Sequence, residues 1–146
     1  MNVLAAMEFV HLVFAALWTG GVVFVTWGVL PAARSGSITG EGLETVIERL
    51  RILSRASALV LFVSGGLLSG TYGSAIMQTM DGYLVLGMIV LWLLLIGFVE
   101  MAAKTLLEAL ETDAVRDAVR NATGRFRAAG LVALLVLVDA GLLSVF

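Results

Sequence analysis

Two side chains in this sequence call for a chemical explanation before any other. His11 is the chain's one histidine, set in an apolar run over residues 4–30 that Glu8 alone otherwise interrupts, and Asp139 lies in another apolar run over residues 126–146. Ionisable groups in hydrocarbon are expensive, and a ligand or ion site is the default explanation for them. An imidazole offers a lone pair to a metal, and a carboxylate next to it fixes the tautomer and raises ring basicity. Met7, His11, Ala15 and Trp18 step by four, four and three residues, so they share one helical face. Met77 and Met80, with Asp81, fall in the short connection between two other apolar runs. Thioether and imidazole together suit copper, the reduced ion above all. His11, Met7, Asp139, Met77 and Met80 are therefore the candidate metal ligands, and His11 with Trp18 the candidate cofactor contacts. The plainer alternative is that methionine is apolar filler and that His11 and Asp139 form only a polar clasp between helices. Three or four good zinc ligands cannot be assembled, and a chain without cysteine has no thiolate site, disulfide or cysteine nucleophile.

The elements that hold these residues follow from composition. The chain has 146 residues, 60% hydrophobic and 14% charged, against about 45–50% and about 25% in an ordinary soluble domain. Its mean hydropathy is +1.05. A domain this small has too much surface to hide that apolar excess internally, so the excess faces lipid. A soluble enzyme, a disordered chain and a nucleic-acid binder are excluded. No nucleophile–base pair or phosphate-cradling glycine loop is present either, so no enzymatic activity is expected. A helix needs about 20 apolar residues to cross a bilayer, and four runs qualify, at about 4–30, 52–72, 83–103 and 126–146. Pro31 is expected to stop or kink the first. The runs are long, rich in Leu and Ala, and lack alternation, which argues against strands. Residues 1–10 carry no Lys or Arg, unlike a cleaved signal peptide. The fold expected is all-α: one transmembrane domain, residues 1–146, forming an integral membrane four-helix bundle with up-down-up-down topology.

Charge sets the orientation. Arg34, Arg49, Arg51 and Arg55 lie between the first and second spans, and Lys104, Arg116, Arg120, Arg125 and Arg127 between the third and fourth, which accounts for all 9 basic residues. The positive-inside rule then puts both termini outside a plasma membrane and the connections 31–55 and 104–125 in the cytoplasm. Leu43, Val46, Ile47, Leu50 and Leu53 recur at helical spacing, as do Leu106, Leu107 and Leu110, so the second and third helices extend beyond the membrane into the cytoplasm. Asp113 is a candidate cap for a short helix carrying Val115 and Val119. His11 and Asp139 sit about two turns inside the outer ends of antiparallel spans, hence at similar depth, where they can pair if their helices are neighbours. Glu100, Lys104 and Arg55 are expected to form an ion pair at the inner leaflet. Gly66 and Gly70 form a small-residue step that suits a helix crossing within the bundle or a homodimer seam.

The stretch His11-Leu12-Val13-Phe14-Ala15-Ala16-Leu17-Trp18-Thr19-Gly20-Gly21, followed by Pro31, resembles the first helix of CopD-type membrane proteins, with His, then Trp seven residues on, then Gly-Gly. Weaker likeness continues through residues 51–59, 82–86 and the last helix. The resemblance implies a role in copper uptake or resistance, with His11 as the residue carried over. The wider group is similar to HemJ-type four-helix membrane proteins, which implies haem at a first-helix histidine. Both relatives carry a lysine early in the third helix where this chain has Gly87 and Met88, so oxidase activity is not carried over. The leading expectation is copper binding, with permeation, through a site near the external face. The alternatives are a haem-b protein with His11 as axial ligand, and a non-catalytic membrane subunit or scaffold.

Overall fold

The computed structural model describes residues 2–70 and 79–143; Met77 lies outside them. The described residues form four long helices and no strand. They are α1 (Val3–Arg34), α2 (Gly40–Ser69), α3 (Met80–Thr112) and α4 (Val115–Leu143), each long and apolar enough to cross a membrane. The main packing pairs are α1 with α2, α2 with α3, α3 with α4 and α4 with α1, which closes a ring of antiparallel neighbours. This is an up-down-up-down four-helix bundle, the architecture of a membrane protein. One end, the basic end, holds Arg34, Arg51, Arg116 and the connections between α1 and α2 and between α3 and α4. The other, the histidine end, holds His11 and Asp139.

Local chemistry explains where the helices begin and turn. The Asn2 side chain accepts from the amides of Leu4 and Ala5, and Thr39 and Thr79 cap α2 and α3 by accepting from Gly42 and Gly82. Between α1 and α2 the chain reverses at Gly36, whose φ of 85° suits a residue without a Cβ. Pro31 does not end α1. A π-helical turn over Val25–Val29 precedes it, and the helix continues to Arg34. Proline lacks an amide hydrogen and its ring crowds the carbonyl four residues back, here that of Trp27; a widened turn relieves both. Asp113 caps no short helix. It is the C-cap of α3, its N–H bonding to Ala109 O, and α4 runs unbroken from Val115 into the fourth span. Ala118, Val119, Ala122 and Phe126 are all buried, so one apolar stripe continues through the connection and only Gly124 weakens it.

The closed core lies toward the basic end. Val29, Leu30 and Ala33 of α1, Leu43, Ile47 and Leu50 of α2, Ala102, Ala103 and Leu106 of α3 and Phe126 of α4 are buried together there. Toward the histidine end, no described apolar side chain is fully buried before Trp18 in α1, between Gly82 and Leu95 in α3, or beyond Ala133 in α4. Phe24, Leu59, Phe62, Leu93 and Leu135 are exposed on the outer faces, as lipid contact requires. Two close contacts join α1 to α4: Thr26 Oγ1 donates to Phe126 O at 3.1 Å, and the Trp27 indole lies over Gly130, where a Cβ would be 2.6 Å from its ring.

Candidate functional site

The site at the histidine end begins with a hydrogen count. His11 Nδ1 lies 2.8 Å from Ser64 Oγ, and Ser64 Oγ lies 2.7 Å from Val60 O. Two oxygens at 2.7 Å need a proton between them, and serine has one to give. The Ser64 hydroxyl therefore donates to Val60 O and accepts from Nδ1–H. That assigns His11 the Nδ1–H tautomer and leaves its lone pair on Nε2, the arrangement of a metal-ligating histidine oriented by a second residue. Gly65 makes the close approach possible, since a Cβ there would lie 3.2 Å from His11 Cε1.

Met7 is one helical turn from His11 and half-buried. It lines a cleft of about 170 Å³ with Val3, Leu4, Leu67 and Leu68, between the tips of α1 and α2. Its lining is apolar apart from the Met7 thioether, and His11 is not part of it. Met80 opens the first turn of α3 and is 62% exposed. Among the described residues no three His, Cys, Asp or Glu side chains gather where they could hold one ion.

Asp139 is in a different seam. Its Oδ1 lies 3.5 Å from where a Cβ would stand on Gly87 of α3, and its buried Oδ2 has no hydrogen-bond partner. No hydrogen bond or ion pair joins it to His11 among the described residues. The two helices are neighbours, as the pairing required, but α1 turns His11 toward α2 while α4 turns Asp139 toward α3. Their depths do agree. Phe62 stacks on Trp92 at 6.0 Å between centroids and ties α2 to α3; counting five residues outward from each puts Gly87 and Asp139 within about one turn of Ser64.

Trp18 lies two turns deeper than His11, 1% exposed, with Nε1 unpartnered; Trp92 Nε1 is also buried and unpartnered. Trp18 thus belongs to the packed core below the imidazole. Ser64, which with Thr19 and Thr26 reads in the sequence as too sparse to define a polar path, and its companions Ser57 and Ser54 were given no site role by sequence reasoning. Their signal was available: Ser54, Ser57, Leu61 and Ser64 step by three, four and three along one face of α2, and all four are buried.

At the opposite end of the spans Glu100 of α3 accepts from two guanidinium groups of α2, Arg51 at 3.1 and 3.4 Å and Arg55 at 2.8 and 3.0 Å. Lys104, expected in this cluster, instead approaches Glu108 at 3.7 Å and is 70% exposed. Arg51 and Arg55 stand one turn apart on the face of α2 that meets α3, and Lys104 is turned away from it. Gly66 does not mark a crossing within the bundle, for a Cβ there would meet nothing within 4 Å; Gly65 is the glycine that takes the close contact.

No family model, no curated protein and no solved structure matches the chain.

Proposed function

We propose that this is a plasma-membrane protein that binds copper(I) at the external end of its bundle, through His11 Nε2 and Met7, as the first step of copper permeation. The observation that carries the reading is the Val60–Ser64–His11 hydrogen-bond chain, which leaves Nε2 free to coordinate. A neutral imidazole and a thioether one turn away form a soft pair suited to the reduced ion. Met77 and Met80 would deliver copper from the external loop, while Asp139, at similar depth but turned toward Gly87 of α3, would act on the ion only through its charge. The positive-inside rule supports external placement of this end, with residues 31–55 and 104–125 cytoplasmic.

The test is titration of detergent-purified protein with copper(I) against a chromophoric chelator. One copper per chain is expected, abolished in His11→Ala and weakened by about 10–100-fold in Ser64→Ala, the usual effect of removing a residue that orients a ligand. Equal binding by the wild type and His11→Ala would refute copper binding and leave a scaffold. Haem b is the second reading, favoured by the scarcity of buried apolar side chains toward the histidine end. His11 Nε2, left with its lone pair, fits axial ligation. A Soret band lost in His11→Ala would decide for haem.

A further inference from the structure

The charged cluster at the basic end holds more donors than Glu100 can use. A guanidinium carries five N–H groups, and the Glu100 carboxylate accepts from Nε and Nη2 of Arg51 and of Arg55. Two cations on one anion leave a surplus positive charge, and Nη1 of each arginine has no partner among the described residues. Both arginines line a surface cleft of about 240 Å³ on α2, and the other lining residues are Glu48 and Ile52. Glu48, Arg51, Ile52 and Arg55 step by three, one and three, so they share one face of the helix. Glu48 is exposed and makes no ion pair among the described residues. The cleft therefore presents positive and negative charge side by side, with exposed Ile52 between Glu48 and Arg55.

The membrane gives that charge pattern a direction. No charged residue occurs in α2 beyond Arg55, and Leu59, Phe62 and Val63, next along this face, are exposed as lipid contact requires. Arg55 thus stands where α2 leaves the hydrocarbon. Glu48 lies on the aqueous side, about 4.5 Å beyond Arg51 and about 10 Å beyond Arg55 along the axis. From the bilayer outward the order is apolar stripe, guanidinium pair, carboxylate. A phospholipid with an amino headgroup has the matching order: acyl chains, phosphate, then a primary ammonium. Paired arginines suit a phosphate, and an ammonium donates to a carboxylate. Glu100 is not open to that ammonium, because the arginines hold both its oxygens. Glu48 works against a headgroup that is only anionic.

We infer that this cleft is a binding site for phosphatidylethanolamine in the leaflet at the basic end of the bundle. The Arg51 and Arg55 guanidinium groups hold the phosphate, and Glu48 holds the ammonium. Ile52 packs on the link between them, and one acyl chain follows Leu59, Phe62 and Val63. Selectivity comes from Glu48: phosphatidylcholine brings a cation with no N–H to donate, and phosphatidylglycerol brings no cation. The inference is independent of the ligand at His11 and of the side of the membrane on which the basic end lies.

Native mass spectrometry of the full chain, delipidated in detergent and titrated with lipids of matched acyl chains, tests it. One phosphatidylethanolamine per chain should be retained about three- to fivefold more tightly than phosphatidylcholine or phosphatidylglycerol, the strength of one exposed ion pair. Glu48→Gln, which leaves Glu100 and both arginines in place, should lower that ratio to about one. Glu48→Lys should reverse it in favour of phosphatidylglycerol. Glu44→Gln, one turn away, exposed and outside the cleft, should leave it unchanged. Arg55→Lys, which keeps a cation for Glu100 but loses the free donors of the fork, should weaken all three lipids together. Equal or stronger retention of the other two lipids by the wild type, a preference that survives Glu48→Gln, an equal effect of Glu44→Gln, or displacement of bound lipid by millimolar inorganic phosphate would each overturn the inference.

Discussion

Gly130→Ala tests the packing that sets α4 against α1. A Cβ at residue 130 would stand 2.6 Å from both Cη2 and Cζ3 of Trp27 and 3.3 Å from Thr26 Cγ2. Carbon atoms in favourable contact are about 3.5–4.0 Å apart, so the methyl overlaps the ring by about 1 Å. The helices cannot separate freely to admit it, because Thr26 Oγ1 donates to Phe126 O one turn away, at 3.1 Å. Nor is the indole free to leave without losing its cover on α4, although its 45% exposure gives it room to swing toward lipid. Overpacking of this kind costs about 1–3 kcal/mol, and loss of the interhelical hydrogen bond would add about 1 kcal/mol. A total of about 2–4 kcal/mol corresponds to a drop in Tm of roughly 4–16 °C for a chain of this size. Thermal unfolding in detergent, followed by circular dichroism, measures it. The decisive version is a cycle with Trp27→Leu, in which Gly130→Ala should become nearly neutral, giving a coupling of about 1–3 kcal/mol. A loss that persists unchanged in the Trp27→Leu background would refute the assignment of the clash to the indole.

Further outcomes follow from the same contacts. Gly65→Ala, whose Cβ would meet His11 Cε1 at 3.2 Å, should shift the imidazole off Ser64 and weaken ligand binding at His11 with little change in Tm, read by titration and melting of one preparation. Glu100→Gln, which leaves Arg51 and Arg55 of α2 facing a neutral acceptor, should lower Tm clearly more than Lys104→Met, which removes an exposed i,i+4 pair contributing under about 0.5 kcal/mol. At Gly66 a side chain would enter open space, so Gly66→Leu should leave the fold intact; if Gly66 and Gly70 form a homodimer seam, light scattering in detergent should show the variant shifted to monomer.

Much of the architecture was legible one residue at a time. Span lengths, the lack of alternation and the absence of a core large enough to hide the apolar surface all follow from counting along the chain, because bilayer thickness is a one-dimensional constraint. The continuation of α2 beyond its span was legible for the same reason, from the spacing of Leu43, Ile47 and Leu50. Boundaries were less so. Pro31 reads as a stop only while the preceding turn is taken to be α-helical; a π turn absorbs it. Asp113 reads as an N-cap only if its neighbour α3 has already ended, and α3 ends on Asp113 itself.

For the site, the sequence by itself determined that His11 and Asp139 are at similar depth in an apolar setting, since depth depends only on residue count from the helix ends. It also held the serine line on α2, visible in its spacing. Tertiary structure alone decided which neighbour each polar group faces: His11 on Ser64, Asp139 beside Gly87, and Arg51 in place of Lys104 on Glu100. The physical reason is that hydropathy fixes a helix along the membrane normal but leaves its rotation about its own axis nearly free. Close approaches at a few small residues, Gly65 against the imidazole and Gly130 beneath the indole, set that rotation, and they exist only once two helices have met.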